Sequence, residues 1–273
     1  MKKIITRIGL FIISILIAYT LLVIVRRPSN DRNWNTDQAI LPIITIDGDT
    51  VDIKNIRNFT YQSTTEYTPN YYDATYNISD ITRVWFAVEP FLQNKIGAAH
   101  TLVSFEFRDG RYLAISVEIR KEVGELFSPL KGILRNYELM YVIADERDVL
   151  GLRAIHRKDD VYLYPIKTTP ERAQRLFVSM LTRAQQLQQY PEIYNTIANN
   201  CTTNIAAHVN ELFPERIPWD NSFLLPKSAD EYALSIGLLD TDLPIEKARK
   251  KYHINERAMQ FETDPLFSQK IRP

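Results

Sequence analysis

The chain has 273 residues, 33 basic and 33 acidic side chains, 45% hydrophobic residues and a single cysteine. A formal charge of zero leaves no surplus of Lys and Arg to displace counterions from phosphates, which argues against a nucleic-acid partner. One cysteine excludes a disulfide partner and any multi-cysteine zinc or iron–sulfur site, and no cofactor is expected.

Lys2, Lys3 and Arg7 precede an uncharged apolar run from Ile8 to Val25, closed by Arg26 and Arg27. Eighteen such residues make about 27 Å of helix, close to the hydrocarbon thickness of a bilayer. The run is longer than the core of a cleavable signal, and Val25-Arg26-Arg27-Pro28 offers no small-x-small cleavage site. Residues 1–27 therefore read as an uncleaved signal anchor, with the flanking charges slightly favouring a cytoplasmic N-terminus. These residues hold five basic side chains and no acid, so 28 basic against 33 acidic groups remain, formally −5. Such a domain is neither a nucleic-acid partner nor a strong binder of anionic lipid headgroups.

Residues 28–42 are polar and read as a tether, and 43–273 as an exoplasmic domain. Ile43–Ile46 and Val51–Ile53 alternate around Asp47-Gly48 as a hairpin does. Tyr61, Tyr67, Tyr71, Tyr72 and Tyr76 suggest packing rather than a site, and Val84–Val88 is strand-like. The clearest hairpin spans 100–119. A three-residue loop Arg108-Asp109-Gly110 pairs Phe107 with Arg111, Val103 with Ile115, Phe105 with Leu113 and His100 with Glu118. A one-residue slip would break the apolar face. Glu138–Ala144 and Val161–Ile166 are further strands. Thr169-Pro170-Glu171 then starts a helix carrying Leu176, Phe177, Met180, Leu181, Ala184 and Leu187 at helical spacing, with Pro191 beyond its end. A second helix starts near Asn200, with Ile205, Val209 and Leu212 on one stripe and Pro214 after it. Residues 214–273 suggest loops with one or two short helices. The whole predicts an α+β fold, an antiparallel sheet packed against helices behind one N-terminal transmembrane helix.

The chemistry centres on Cys201 and His100. Asn200 is a favoured N-cap, so Cys201 falls in the first turn of the second helix, at the positive end of the helix dipole. That position favours a thiolate nucleophile, and first-turn amides can donate to an oxyanion. The plain alternative is a small packed core residue. Of the four histidines, His208 lies on the same helix seven residues on, about 10 Å away and too far for direct proton transfer. His156 and His253 sit in charged segments. His100, at the head of a strand, is the best base, and the hairpin register sets Glu118 beside it to orient the ring, or else to stand as a solvated charge. Asp145-Glu146-Arg147-Asp148 could hold a metal, but without a histidine at ligand spacing a solvated loop is favoured. There is no Gly-rich phosphate loop and no Gly-x-Ser-x-Gly elbow.

Asp31-Arg32-Asn33-Trp34, Ala99-His100-Thr101, Ser116-Val117-Glu118-Ile119-Arg120-Lys121, Asp145-Glu146-Arg147-Asp148 and Asn199-Asn200-Cys201-Thr202-Thr203 occur in that order. Over roughly residues 30–215 the chain resembles the N-terminal periplasmic domain of the Bacteroides-type lipoprotein N-acyltransferase, Lnb. The resemblance implies a circularly permuted, papain-like NlpC/P60-type fold with its catalytic core in about 95–215, histidine preceding cysteine. It implies a thiol that takes an acyl chain from a phospholipid or lipoprotein substrate, Cys201 as nucleophile, His100 as base and Glu118 as orienter. It also implies a single-pass inner-membrane protein with its bulk in the periplasm. The acyltransferase carries further transmembrane helices after this domain, which makes a separate membrane protein a candidate partner. The other functional readings are a cysteine amidase or peptidase of the cell envelope, and a non-enzymatic, membrane-anchored interaction module.

Overall fold

The computed structural model describes residues 2–90, 99–212, 217 and 229–273. Helix α1, Lys2–Val25, is about 36 Å long at 1.5 Å per residue, and its apolar side chains point outward along its whole length. It is long and apolar enough to cross a membrane. The stretch that follows is fastened to the domain. Ser29 N donates to Glu138 Oε1 (2.8 Å), Asn30 Nδ2 to the carbonyls of Leu187 and Gln188 (3.0 and 2.7 Å), and Arg32 pairs with Glu122 (2.9 Å).

Strands β1 (Ile43–Asp47) and β2 (Thr50–Arg57) form the first hairpin, with Asp47 paired to Thr50. Its tight turn is Gly48-Asp49, one residue later than the Asp-Gly dipeptide suggests, and Gly48 supplies the positive φ of 57°. Strands β3 (Thr60–Tyr61) and β4 (Tyr67–Thr68) make a small separate ribbon. The main sheet continues with β5 (Tyr71–Asn77), β6 (Ile81–Pro90), β7 (Ala99–Phe107), β8 (Tyr112–Arg120), β9 (Glu138–Ala144) and β10 (Tyr162–Pro165). Its order is β1-β2-β9-β8-β7-β6-β10, with β5 also on β2. The β7–β8 register is the one the apolar pattern predicts: Val103 faces Ile115, Phe105 faces Leu113, and Phe107 N bonds Arg111 O (2.9 Å) across a loop closed by Gly110 at φ 84°.

Strands β7, β8 and β9 are buried on both faces, and side-chain alternation divides them between two helical layers. Val103, Phe105, Phe107, Ile115, Tyr141 and Ile143 pack against α4 (Pro170–Gln189) and α5 (Cys201–Leu212). Phe177 of α4 meets Phe105 and Phe107 edge-on, with centroids 4.9 and 5.7 Å away. Leu102, Ala114, Met140 and Val142 pack on the other face, against α3 (Glu146–Gly151), the π-helical turn Leu152–Arg157, α8 (Asn255–Gln260) and α9 (Phe267–Lys270). Helix α4 begins where the Thr-Pro-Glu signal places it, with Thr169 Oγ1 accepting from Arg172 N (3.4 Å). With α6 (Ala229–Ser235) and α7 (Ile245–Tyr252), the C-terminal region holds four short helices among the described residues, more than the one or two expected. Each is under nine residues, too short for an apolar stripe to repeat. The fold is α+β, with the sheet covered by helices on both faces.

Candidate functional site

The loop leading into α5 is built by its asparagines. Asn200 Oδ1 accepts from Thr203 N (2.9 Å) while Asn200 N donates to Thr203 Oγ1 (2.8 Å), a reciprocal capping pair. Asn199 Nδ2 donates to Ile193 O (3.0 Å), and its Oδ1 accepts from Asn204 Nδ2 (2.8 Å). The cap places Cys201 in the first helical turn, as its sequence position predicts, where amides without intrahelical acceptors make a partial positive charge. The thiol is 8% exposed, and Thr202 Oγ1 lies 3.8 Å from Sγ. An apolar cavity of about 100 Å³ runs along the same helix, lined by Thr202, Ile205, Val209, Phe86, Val103 and Leu176 among others.

Asn204 continues the network inward. Its Nδ2 is taken by Asn199 and by Asn200 O, so its oxygen faces Tyr141 and accepts from the phenol (3.2 Å). Tyr141 Oη lies 2.9 Å from His208 Nε2, and Nδ1 lies 2.7 Å from Ser179 Oγ, which itself donates to Glu211 Oε2 (2.7 Å). Burial pushes the His208 imidazole down to about 4, so it is neutral at ordinary pH. The asparagines of the Cys201 motif thus orient His208, two turns beyond the thiol.

His100 belongs to a different group. Its Nε2 lies 2.7 Å from Ser116 Oγ, and Ser116 Oγ donates to Glu118 Oε1 (2.8 Å), which is itself 3.8 Å from the imidazole. Arg153, on the π-helical turn, bonds Glu118 Oε1 through Nη2 (2.8 Å) and Glu89 Oε2 through Nε (2.7 Å). Because the Ser116 proton goes to the carboxylate, the hydroxyl accepts from His100 Nε2–H, and Nδ1 keeps its lone pair. Burial, then the Arg153 charge, pushes His100 down to about 3. Glu118 is held well below the usual carboxylate range: burial opposes its charge, but Arg153 and the other neighbouring cations outweigh it. Burial pushes Glu89 up to about 7 against the pull of Arg153 and Arg157. Ser116 was legible in the sequence, two residues from Glu118 and hence on the same face. Arg153 and Glu89 were not, lying 35 and 29 residues from Glu118 with no local signal.

The structure brings His100 and Glu118 together and does not bring Cys201 to them. His100 shares its side of β7 with Leu102 and Ser104 and faces the α3 layer, whereas Cys201 packs with Val103 and Phe105 in the α5 layer. The sheet separates the two. The hairpin register fixes which residues are cross-strand neighbours, and it says nothing about which layer either face meets.

The acidic run is not a solvated loop. Asp145 Oδ1 caps α3, accepting from Arg147 N (2.9 Å). Asp148 is fully buried and takes a bidentate pair from Arg57 (3.0 and 2.8 Å) plus Phe59 N (2.8 Å). Glu146, also fully buried, is paired with Arg272 (2.9 and 2.6 Å). Glu146 and Asp148 are neutralised by arginine, and no cluster able to hold a metal ion occurs among the described residues. His156 and His253 take partners of their own, Glu262 at 3.3 Å and Asp160 at 3.0 Å.

An apolar helix long enough to cross a membrane is thus followed by an α+β domain with one thiol at a capped helix start. Residues 67–226, more than half of the chain, match the family model described as the Lnb N-terminal periplasmic domain. The chain belongs to that family. No curated protein and no solved structure matches it.

Proposed function

We propose that this protein moves a lipid acyl chain through a thioester on Cys201, as an acyltransferase or acyl hydrolase acting from the inner membrane into the periplasm. The observation that carries this reading is the thiol in the first turn of capped α5, on a helix whose next residue, Thr202, begins the lining of an apolar cavity. The thiolate attacks the carbonyl of an acyl ester, and a C–S bond forms as the ester C–O bond breaks. The leaving alkoxide takes the proton that the thiol gave up. An amine or water then attacks the thioester and restores the thiol. First-turn amides of α5 are the donors for the oxyanion. The chain order, a histidine-bearing strand before a cysteine-bearing helix, supports a permuted papain-like reading of the fold. In that reading His100 would meet Cys201. Here they lie on opposite sheet faces, so His100 does not serve as the base for Cys201.

That separation favours a second reading, an anchored interaction module in which Cys201 is only packed. One experiment divides the two. The full chain in mild detergent is incubated with phospholipid and its intact mass is measured. An acyl-mass adduct on the native chain, absent from Cys201→Ala, supports acyl transfer. No adduct under conditions where the chain is folded supports the module. Peptide release from purified sacculus without lipid turnover would point instead to a cell-wall amidase.

A further inference from the structure

Outside α1, large exposed apolar side chains gather on one segment between β8 and β9. Val123, Leu126 and Leu130 are 59%, 78% and 63% exposed, and Phe127 and Leu134 are exposed beside them. The segment is held in place. Tyr137 Oη donates to Leu126 O (2.6 Å) and accepts from Ser128 N (2.9 Å). Its short helix α2 (Pro129–Ile133) is clamped to the loop before Cys201, where Thr196 Oγ1 donates to Pro129 O (2.8 Å). Ile197, in that loop, is exposed as well. Folded proteins do not leave a fixed apolar patch of this kind in water without an occupant.

The connection to α1 identifies the occupant. Val123 N bonds Asn33 O (2.8 Å), and Arg32 pairs with Glu122. Ser29, four residues beyond the end of α1, is bonded to Glu138 at the start of β9. Four residues span at most about 14 Å, so this end of the sheet lies within that distance of where α1 leaves the hydrocarbon. Charges agree with a lipid surface. Arg26, Arg27, Lys121, Lys131 and Arg135 flank the patch, against Asp31, against Glu122 and Glu138, both paired with Arg32, and against Glu125, which accepts from Glu122 N. The net acidity of the domain lies elsewhere.

We propose that Val123–Leu134 is an interfacial docking surface that seats in the bilayer crossed by α1 and holds the Cys201 end of the domain at the lipid headgroups. It is independent of the acyl chemistry, and a packed, inert Cys201 would leave it unchanged. The test uses the full chain in nanodiscs of mixed phosphatidylcholine and phosphatidylglycerol, with or without brominated acyl chains. Leu126→Trp and Leu130→Trp are compared with Leu266→Trp. Leu266 is exposed beside Gly110, at the far end of the β7–β8 hairpin and about 30 Å away along nine residues of strand. After subtraction of the native tryptophan emission, the added fluorophore at 126 or 130 should lose about half its intensity or more to bromine, with none lost at 266. Cys201→Ala should leave these values unchanged. Quenching at 126 and 130 no greater than at 266, with near-UV circular dichroism showing the variants folded, would overturn the proposal.

Discussion

His100 and Glu89 lie on the same side of the sheet as Arg153, and burial perturbs them in opposite senses with respect to folding. His100 falls from 6.5 in an unfolded chain to about 3, so between those values the unfolded state binds a proton that the native state refuses. Its contribution to stability is complete above pH 6.5 and is lost as pH falls, at about 1.4 kcal/mol per unit. Glu89 rises from 4.5 to about 7, so between those values the native state keeps a proton that the unfolded state has released. Its contribution is present in acid and is lost as pH rises. Both side chains are largely buried, which leaves little screening. Stability at pH 5 relative to that at pH 7 should rise by about 2 kcal/mol in His100→Gln and fall by about 2 kcal/mol in Glu89→Gln, each compared with the native chain. The double variant should lie within about 1 kcal/mol of the native pH dependence. Urea unfolding of the full chain in mild detergent, followed by tryptophan fluorescence at closely spaced pH values, measures all four curves. The reasoning fails if His100→Gln leaves the difference between pH 5 and pH 7 unchanged, or shifts it in the same direction as Glu89→Gln.

Two further predictions concern the supports of the site. Asp148→Asn leaves the buried Arg57 guanidinium without its counter-charge and should cost about 3–5 kcal/mol, seen as a lower urea midpoint; a loss below 1 kcal/mol would mean that water reaches this pair. Asn200→Ala removes the α5 cap and should cost about 1 kcal/mol, with Asn200→Asp recovering most of it. Hydrogen exchange at the Thr203 amide reports the same loss locally, and unchanged protection there would deny the cap its role.

Much of the molecule follows from local physics that a sequence displays. The charge-free run before Arg26 makes a helix of membrane length, Gly110 closes the β7–β8 turn, and apolar alternation then admits one register. Thr169-Pro170 and Asn200 start α4 and α5 where caps are chemically suited to do so. These interactions lie within a few residues of each other or across one hairpin. The layer each strand face meets was decided elsewhere. Since β7, β8 and β9 are apolar on both sides, alternation could pair His100 with Glu118 but could not say that both turn from α5. The acidic run read as solvated because its partners, Arg57 and Arg272, stand 91 and 126 residues away, beyond any local signal. Burial of those charges, and the distance between His100 and Cys201, exist only once the sheet has been closed between its two layers of helices.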